Sequence, residues 1–145
     1  MARRRWKKKE KRSFPSKEAE LAYRIGYMSK NFAKRCGVEP AVARELLRKL
    51  IRSNEGKPCP YCLEPLTIGT VSPDHKVPLS RGGTSGEENI EAICKDCNST
   101  KSNMTAEEYS ALWAFLRERD MVKFVIPRLK MGNLVYMFRF RRKRK

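Results

Sequence analysis

Cys59-Pro60-Tyr61-Cys62, then Ser72-Pro73-Asp74-His75-Lys76-Val77-Pro78-Leu79-Ser80-Arg81-Gly82-Gly83, then Glu88-Asn89-Ile90, then Cys94-Lys95-Asp96-Cys97-Asn98, with Lys101 three residues on, decides how this chain is read. The outer pieces are two CxxC knuckles separated by 31 residues. A CxxC turn bends the backbone so that two thiolates face one ion, and two such turns complete a tetrahedral shell. Thiolates are soft ligands that select zinc over magnesium, and four of them leave no position for water. A structural Zn²⁺ on Cys59, Cys62, Cys94 and Cys97 is therefore expected. It would supply folding energy to a segment with many loops and little core of its own. A redox dithiol pair is the alternative for these cysteines.

Between the knuckles sits His75, the only histidine in the chain. A lone histidine is commonly a satisfied core or surface residue, but this one follows an acid and precedes a glycine-rich loop inside a metal-binding frame. Cutting a phosphodiester requires deprotonating a water, stabilising charge on the phosphoryl and leaving oxygens, and holding both in line. A neutral imidazole, with an ordinary pKa near ~6.5, can take the proton. Carboxylate and amide oxygens are hard ligands suited to Mg²⁺ or Mn²⁺.

Asp74-His75, then Asn89, then Asn98 directly after a CxxC, resembles the motif of the HNH (ββα-metal, His-Me finger) endonucleases, in the variant that ends in Asn. The run His75 to Gly83 is similar to the first half of that motif. The resemblance covers about residues 57–105 and implies a role for each matched residue. His75 would be the general base. Asp74 and Asn98 would hold the catalytic Mg²⁺ or Mn²⁺. Asn89 would tie the loop between the strands to backbone groups and so steady His75. It also implies two antiparallel strands and a helix around the metal, with His75 on the first strand and Asn98 on the helix. Arg81, Lys101 and Lys76 are candidate phosphate contacts, though each could equally be an exposed cation.

Outward from this core the texture changes. Leu21, Ile25, Met28 and Phe32 recur at helical spacing between Lys17 and Arg35, and Gly37 can close that helix. Pro40 suits the first turn of a second helix, whose stripe is Val42, Leu46, Leu47, Leu50 and Ile51. The pair reads as a packed helical hairpin or as a DNA-reading helix-turn-helix. Cys36 at its junction has no partner at ligand spacing and reads as a small buried hydrophobe. Thr105-Ala106-Glu107-Glu108 is a capping box for a later helix, with Leu112, Phe115 and Leu116 as its buried stripe. Phe124-Val125-Ile126 and Leu134-Val135-Tyr136 fit strand or helix. The expected class is α+β: a ββα-metal core with a four-cysteine zinc site, flanked by an N-terminal helical pair and a C-terminal helix. Its parts are a basic arm (1–12), a helical region (13–54), the nuclease core with its following helix (55–120), a C-terminal extension (121–138) and a basic tail (139–145).

Charge points to the same partner. The chain has 145 residues and a net charge of +17. The two ends account for thirteen of those charges. Residues 1–12 hold eight Lys/Arg against one Glu, and residues 139–145 hold six with no acid. Such arms have too little to bury and repel themselves, so they are expected to be mobile without DNA. They suit phosphate binding through counterion release, with Trp6, Phe138 and Phe140 placed to stack on bases; solvated tails or an address signal are the alternatives.

No apolar run approaches the ~18 residues that span a bilayer, and the basic start lacks a signal peptide's apolar run. The chain is expected in the cytoplasm, of a bacterial host cell if phage-borne, acting as a monomer on double-stranded DNA, with room for a targeting protein partner. Its small stand-alone architecture resembles HNH proteins of phages and mobile elements. The function so implied is strand nicking with weak sequence preference. The competing function is a zinc-knuckle protein that binds nucleic acid without cutting it.

Overall fold

The computed structural model describes residues 12–141, and side chains as far as residue 132. The arm 1–12, apart from Arg12, and most of the tail 139–145 lie outside the described residues, as do the side chains of Phe138 and Phe140. Five helices accompany a two-stranded sheet.

Helix α1 (Lys17–Cys36) starts where Ser16 Oγ accepts from Ala19 N, with Glu18 and Glu20 in the first turn. It stops at Gly37, whose left-handed φ of 65° lets its N–H reach back to Ala33 O. Helix α2 (Pro40–Asn54) carries its proline in the first turn, where no N–H is needed. The two pack along Phe32, Ala33, Ala43 and Leu47, and Ile90 of the sheet joins them. Val42, expected inside, is 58% exposed. The inner face runs instead through Ala43, Leu47 and Ile51, one helical step round, because α2 turns that face to α1 and the sheet.

Strands β1 (Val71–His75) and β2 (Ile90–Cys94) pair antiparallel, with Val71 opposite Cys94 and His75 opposite Ile90. Helix α3 (Lys95–Lys101) follows β2 without a loop. Both strands are covered on both faces, so their side chains do not alternate between core and water.

Helix α4 (Ala106–Glu118) opens with the anticipated reciprocal bonds between Thr105 and Glu108. Its buried stripe, however, is Tyr109, Trp113 and Leu116; Phe115 is 49% exposed and Leu112 half-buried. Aromatic area decides this rotation, since Tyr109 packs edge-on against both Tyr61 and Trp113 in the main core. Helix α5 (Val122–Arg141) resolves the ambiguous apolar pieces: both lie in one helix that runs through Pro127. Among the described residues no helix is long and apolar enough to cross a membrane.

Candidate nuclease site and zinc knuckles

The two strands carry one site at each end. At the Val71–Cys94 end the knuckles meet. Leu63 takes a left-handed φ of 67°, and its N–H returns to Cys59 O at 3.0 Å, which tightens the first knuckle. The second is the start of α3, where Cys94 Sγ accepts from Cys97 N at 3.3 Å. The Sγ atoms of Cys59, Cys62, Cys94 and Cys97 all lie within 4.8 Å of one another, and Cys62 and Cys94 are 3.6 Å apart. A zinc–sulfur bond of ~2.3 Å gives tetrahedral edges of about 3.8 Å, so this cluster matches a zinc shell.

The thiols also show what they lack alone. Hydrogen bonds from Cys94 and Cys97 pull the Cys59 thiol far below its ordinary range. Bonding to that thiolate pushes Cys94 up to about 12 and Cys97 higher still. One thiolate thus accepts from two thiols. A dication held by the four sulfurs would favour the thiolate form of each.

At the other end, Asp74 and His75 close β1, and both are buried. Between the strands, residues 76–89 form a loop that Asn89 holds shut. Its Oδ1 accepts from Val77 N at 2.8 Å, and its Nδ2 donates to Val77 O at 3.0 Å and Thr84 O at 2.8 Å. Gly83 has to be glycine in this packing, because a Cβ there would meet Val77 O at 1.8 Å. The backbone around His75 is pinned twice: Lys101 Nζ donates to His75 O at 2.8 Å, and Lys76 N donates to Asn89 O at 2.8 Å.

Asn98 faces β1 from α3. Its Nδ2 donates to Ser72 Oγ at 2.8 Å and Pro73 O at 3.2 Å, which leaves the carbonyl oxygen as its available ligand atom. Asp74 Oδ2 is ion-paired with Lys101 Nζ at 2.7 Å. Asp74, His75 and Asn98 line a single cleft of about 320 Å³ together with Arg35, Pro78, Leu79, Ser80 and Ser102. Two hard oxygen donors in a polar cleft suit Mg²⁺ or Mn²⁺ better than a thiophilic ion. Burial first, then the nearby Arg35 charge, lowers the His75 pKa below its ordinary value, against the smaller opposing pull of Asp74. This shift favours the neutral imidazole, the form that can accept a proton.

The three cations singled out as phosphate contacts all have internal partners. Lys101 is fully buried and serves Asp74 and His75, so it presents no ammonium to solvent. Arg81 grips Glu108 with both guanidinium nitrogens, and this pair holds the Glu108 carboxyl down at about 2. Lys76 Nζ donates to Glu88 O at 2.8 Å.

The cation that does face the cleft is Arg35, which is exposed and without an ion pair among the described residues. Two further neighbours of His75 come from the same helical turn. Phe32 stacks on the imidazole at 5.8 Å between centroids, with 11° between planes. Cys36, expected to be a buried filler, is only half-buried, and its Sγ lies 3.5 Å from His75 Nε2. Their only trace in the sequence is the i, i+3, i+4 spacing of Phe32, Arg35 and Cys36.

The family described as HNH endonuclease matches residues 59–104, the span from the first knuckle to just past α3. Over 57 residues the chain is 39% identical to the CRISPR-associated endonuclease Cas9 of Corynebacterium diphtheriae. That alignment covers 39% of this chain and 5% of the Cas9 chain, so only a small part of the larger protein is shared. A ββα unit with two strands, a following helix and four cysteines placed to hold a metal ion, matched by that family over the same residues, makes residues 59–104 an HNH endonuclease domain.

Proposed function

We propose that this chain is a metal-dependent endonuclease that hydrolyses phosphodiester bonds of double-stranded DNA, one strand at a time. The observation that carries the reading is the convergence of a buried imidazole, two hard oxygen donors and an exposed guanidinium on one cleft. His75 takes a proton from water as the water oxygen bonds to phosphorus. The bond from phosphorus to the 3′-oxygen breaks, giving 5′-phosphate and 3′-hydroxyl ends, and the leaving oxygen takes a proton from solvent. Asp74 and Asn98 would hold Mg²⁺ or Mn²⁺, which when bound offsets charge on the phosphoryl and departing oxygens. Arg35 faces the same space and is assigned to the scissile phosphate, in place of Lys101. Asn89, Lys101 and Gly83 keep the end of β1 in register. The cysteine-bound zinc is structural and takes no part in the chemistry.

One cleft per chain meets one strand, so nicking is the elementary event for a monomer. The basic ends supply affinity without sequence information, and weak sequence preference follows. The test is nicking of supercoiled plasmid by wild type and His75→Ala, with Mg²⁺, Mn²⁺ or EDTA. Metal-dependent nicking that disappears in the variant, while zinc content persists, supports the reading. Equal plasmid binding by both proteins with cleavage by neither identifies a zinc-knuckle binder instead.

A further inference from the structure

Helix α1 lies wholly outside residues 59–104, yet its last turn closes over the histidine. The bonds that pin His75 O and the following peptide fix its backbone but leave the ring free to turn about its own torsions. Two neighbours bear on the ring itself. Phe32 stacks nearly parallel to it, and Cys36 Sγ lies 3.5 Å from Nε2. These residues are four apart, hence on one face of α1. The helix stops at Gly37 immediately beyond them, and Ser85 Oγ donates to Cys36 O at 3.3 Å, tying the loop between the strands to this helix end.

The geometry points to Cys36 and Phe32 as positioning residues for the base, an inference that rests on His75 being that base. Either atom of the Cys36 Sγ–His75 Nε2 contact can donate; in the proposed arrangement Nε2–H is the donor and Sγ the weak acceptor, which places the imidazole lone pair at Nδ1. Nδ1 is then the atom that takes the water proton, and Phe32 holds the ring plane in which that lone pair lies. A thiol suits the place because its long C–S bond spans the gap and its soft sulfur resists solvation. The helical hairpin is thereby part of the nuclease site.

Because His75 is the only histidine, labelling the full-length, zinc-loaded protein with [¹⁵N]histidine reports on this ring alone. The expected spectrum at pH 8 shows the ring proton at Nε2, protected from exchange with water, and an unprotonated Nδ1. Cys36→Ala should abolish that protection. It should also lower kcat for plasmid nicking about fivefold, the rate equivalent of one neutral hydrogen bond, with KM unchanged. Cys36→Ser should recover part of both. Phe32→Leu, assayed well below its melting temperature, should lower kcat while keeping the proton at Nε2. A ring protonated at Nδ1, or exchange and kcat indifferent to Cys36→Ala with zinc content intact, overturns the proposal. His75→Ala separates the two failures. An inactive His75→Ala beside a fully active Cys36→Ala removes only the positioning role, whereas an active His75→Ala removes the base and the positioning role with it.

Discussion

The two ends of the same strand pair make opposite demands. At the Val71–Cys94 end, four like sulfur atoms converge from two short knuckles, placed to hold a metal ion. At the His75–Ile90 end, side chains of differing chemistry come from β1, α3 and the distant α1, and packing must hold them in place. The first end is a local device with one purpose. The second is an assembly whose parts are useful only together.

The largest effect should come from breaking the first end. Structural zinc in small peptides is worth roughly 10–16 kcal/mol at neutral pH. Cys97→Ala, or a strong chelator, should therefore remove the cooperative melting transition of the knuckle region and all nicking together. Zinc stoichiometry and thermal denaturation read this directly. Retention of the transition without zinc would make the cysteine cluster dispensable to folding. Breaking the second end should look different: His75→Ala should lower nicking by about 10²–10⁴-fold while the melting transition stays, because general-base contributions lie in that range.

The contrast also explains what the sequence revealed. CxxC spacing and the Asp74-His75, Asn89, Asn98 pattern are short-range, and each residue's identity reports its chemistry. The knuckles, the order of β1, β2 and α3 and the main candidates for the cleft were legible for that reason. What α1 contributes was not. Nothing in the composition of a helix says which structure its inner face will meet, so Phe32 read as ordinary core, Cys36 as filler and Arg35 as one cation among many. The fate of Lys101 was hidden for a related reason. A lysine in a basic chain looks exposed until a buried carboxylate is placed beside it. Likewise, helical periodicity located α2 and α4 but not their rotation, which the aromatic rings of Tyr109 and Trp113 decide in α4.

Lys101 sharpens the comparison, because at this end a fully buried ammonium is paired with the Asp74 carboxylate. Removing one member of a buried pair strands the other, at a cost of about 3–5 kcal/mol. Lys101→Met should destabilise the protein by that amount in denaturant titrations. Lys101→Met with Asp74→Asn should be milder than the single change. A double variant as unstable as the sum would mean that packing, not charge, is what Lys101 provides. Gly83→Ala comes next: Val77 O is a backbone atom and must move, which costs about 1–3 kcal/mol, as overpacking does. The same variant should weaken nicking more than zinc binding, since the displaced loop leads to His75 and not to the knuckles.

The smallest effect concerns pH, and it tests whether α1 acts on the base electrically as well as sterically. Burial is the main cause that lowers the His75 pKa, and the Arg35 charge is the next. As the proposed base, His75 would work when unprotonated, so a lowered pKa keeps it active further into acid. The acid limb of kcat/KM should fall below the ordinary histidine value of about 6.5. Arg35→Ala removes one lowering cause, so the limb should move up in pH. Arg35→Lys keeps the charge and should leave the limb in place, even if phosphate binding weakens. Stability should move with the same sign. As pH drops past about 6.5 the unfolded chain takes up the proton first, so folding free energy declines between that value and the lower folded-state pKa. Arg35→Ala should narrow that window from below. An acid limb that ignores Arg35 would leave burial alone in control of the base and confine Arg35 to the phosphate.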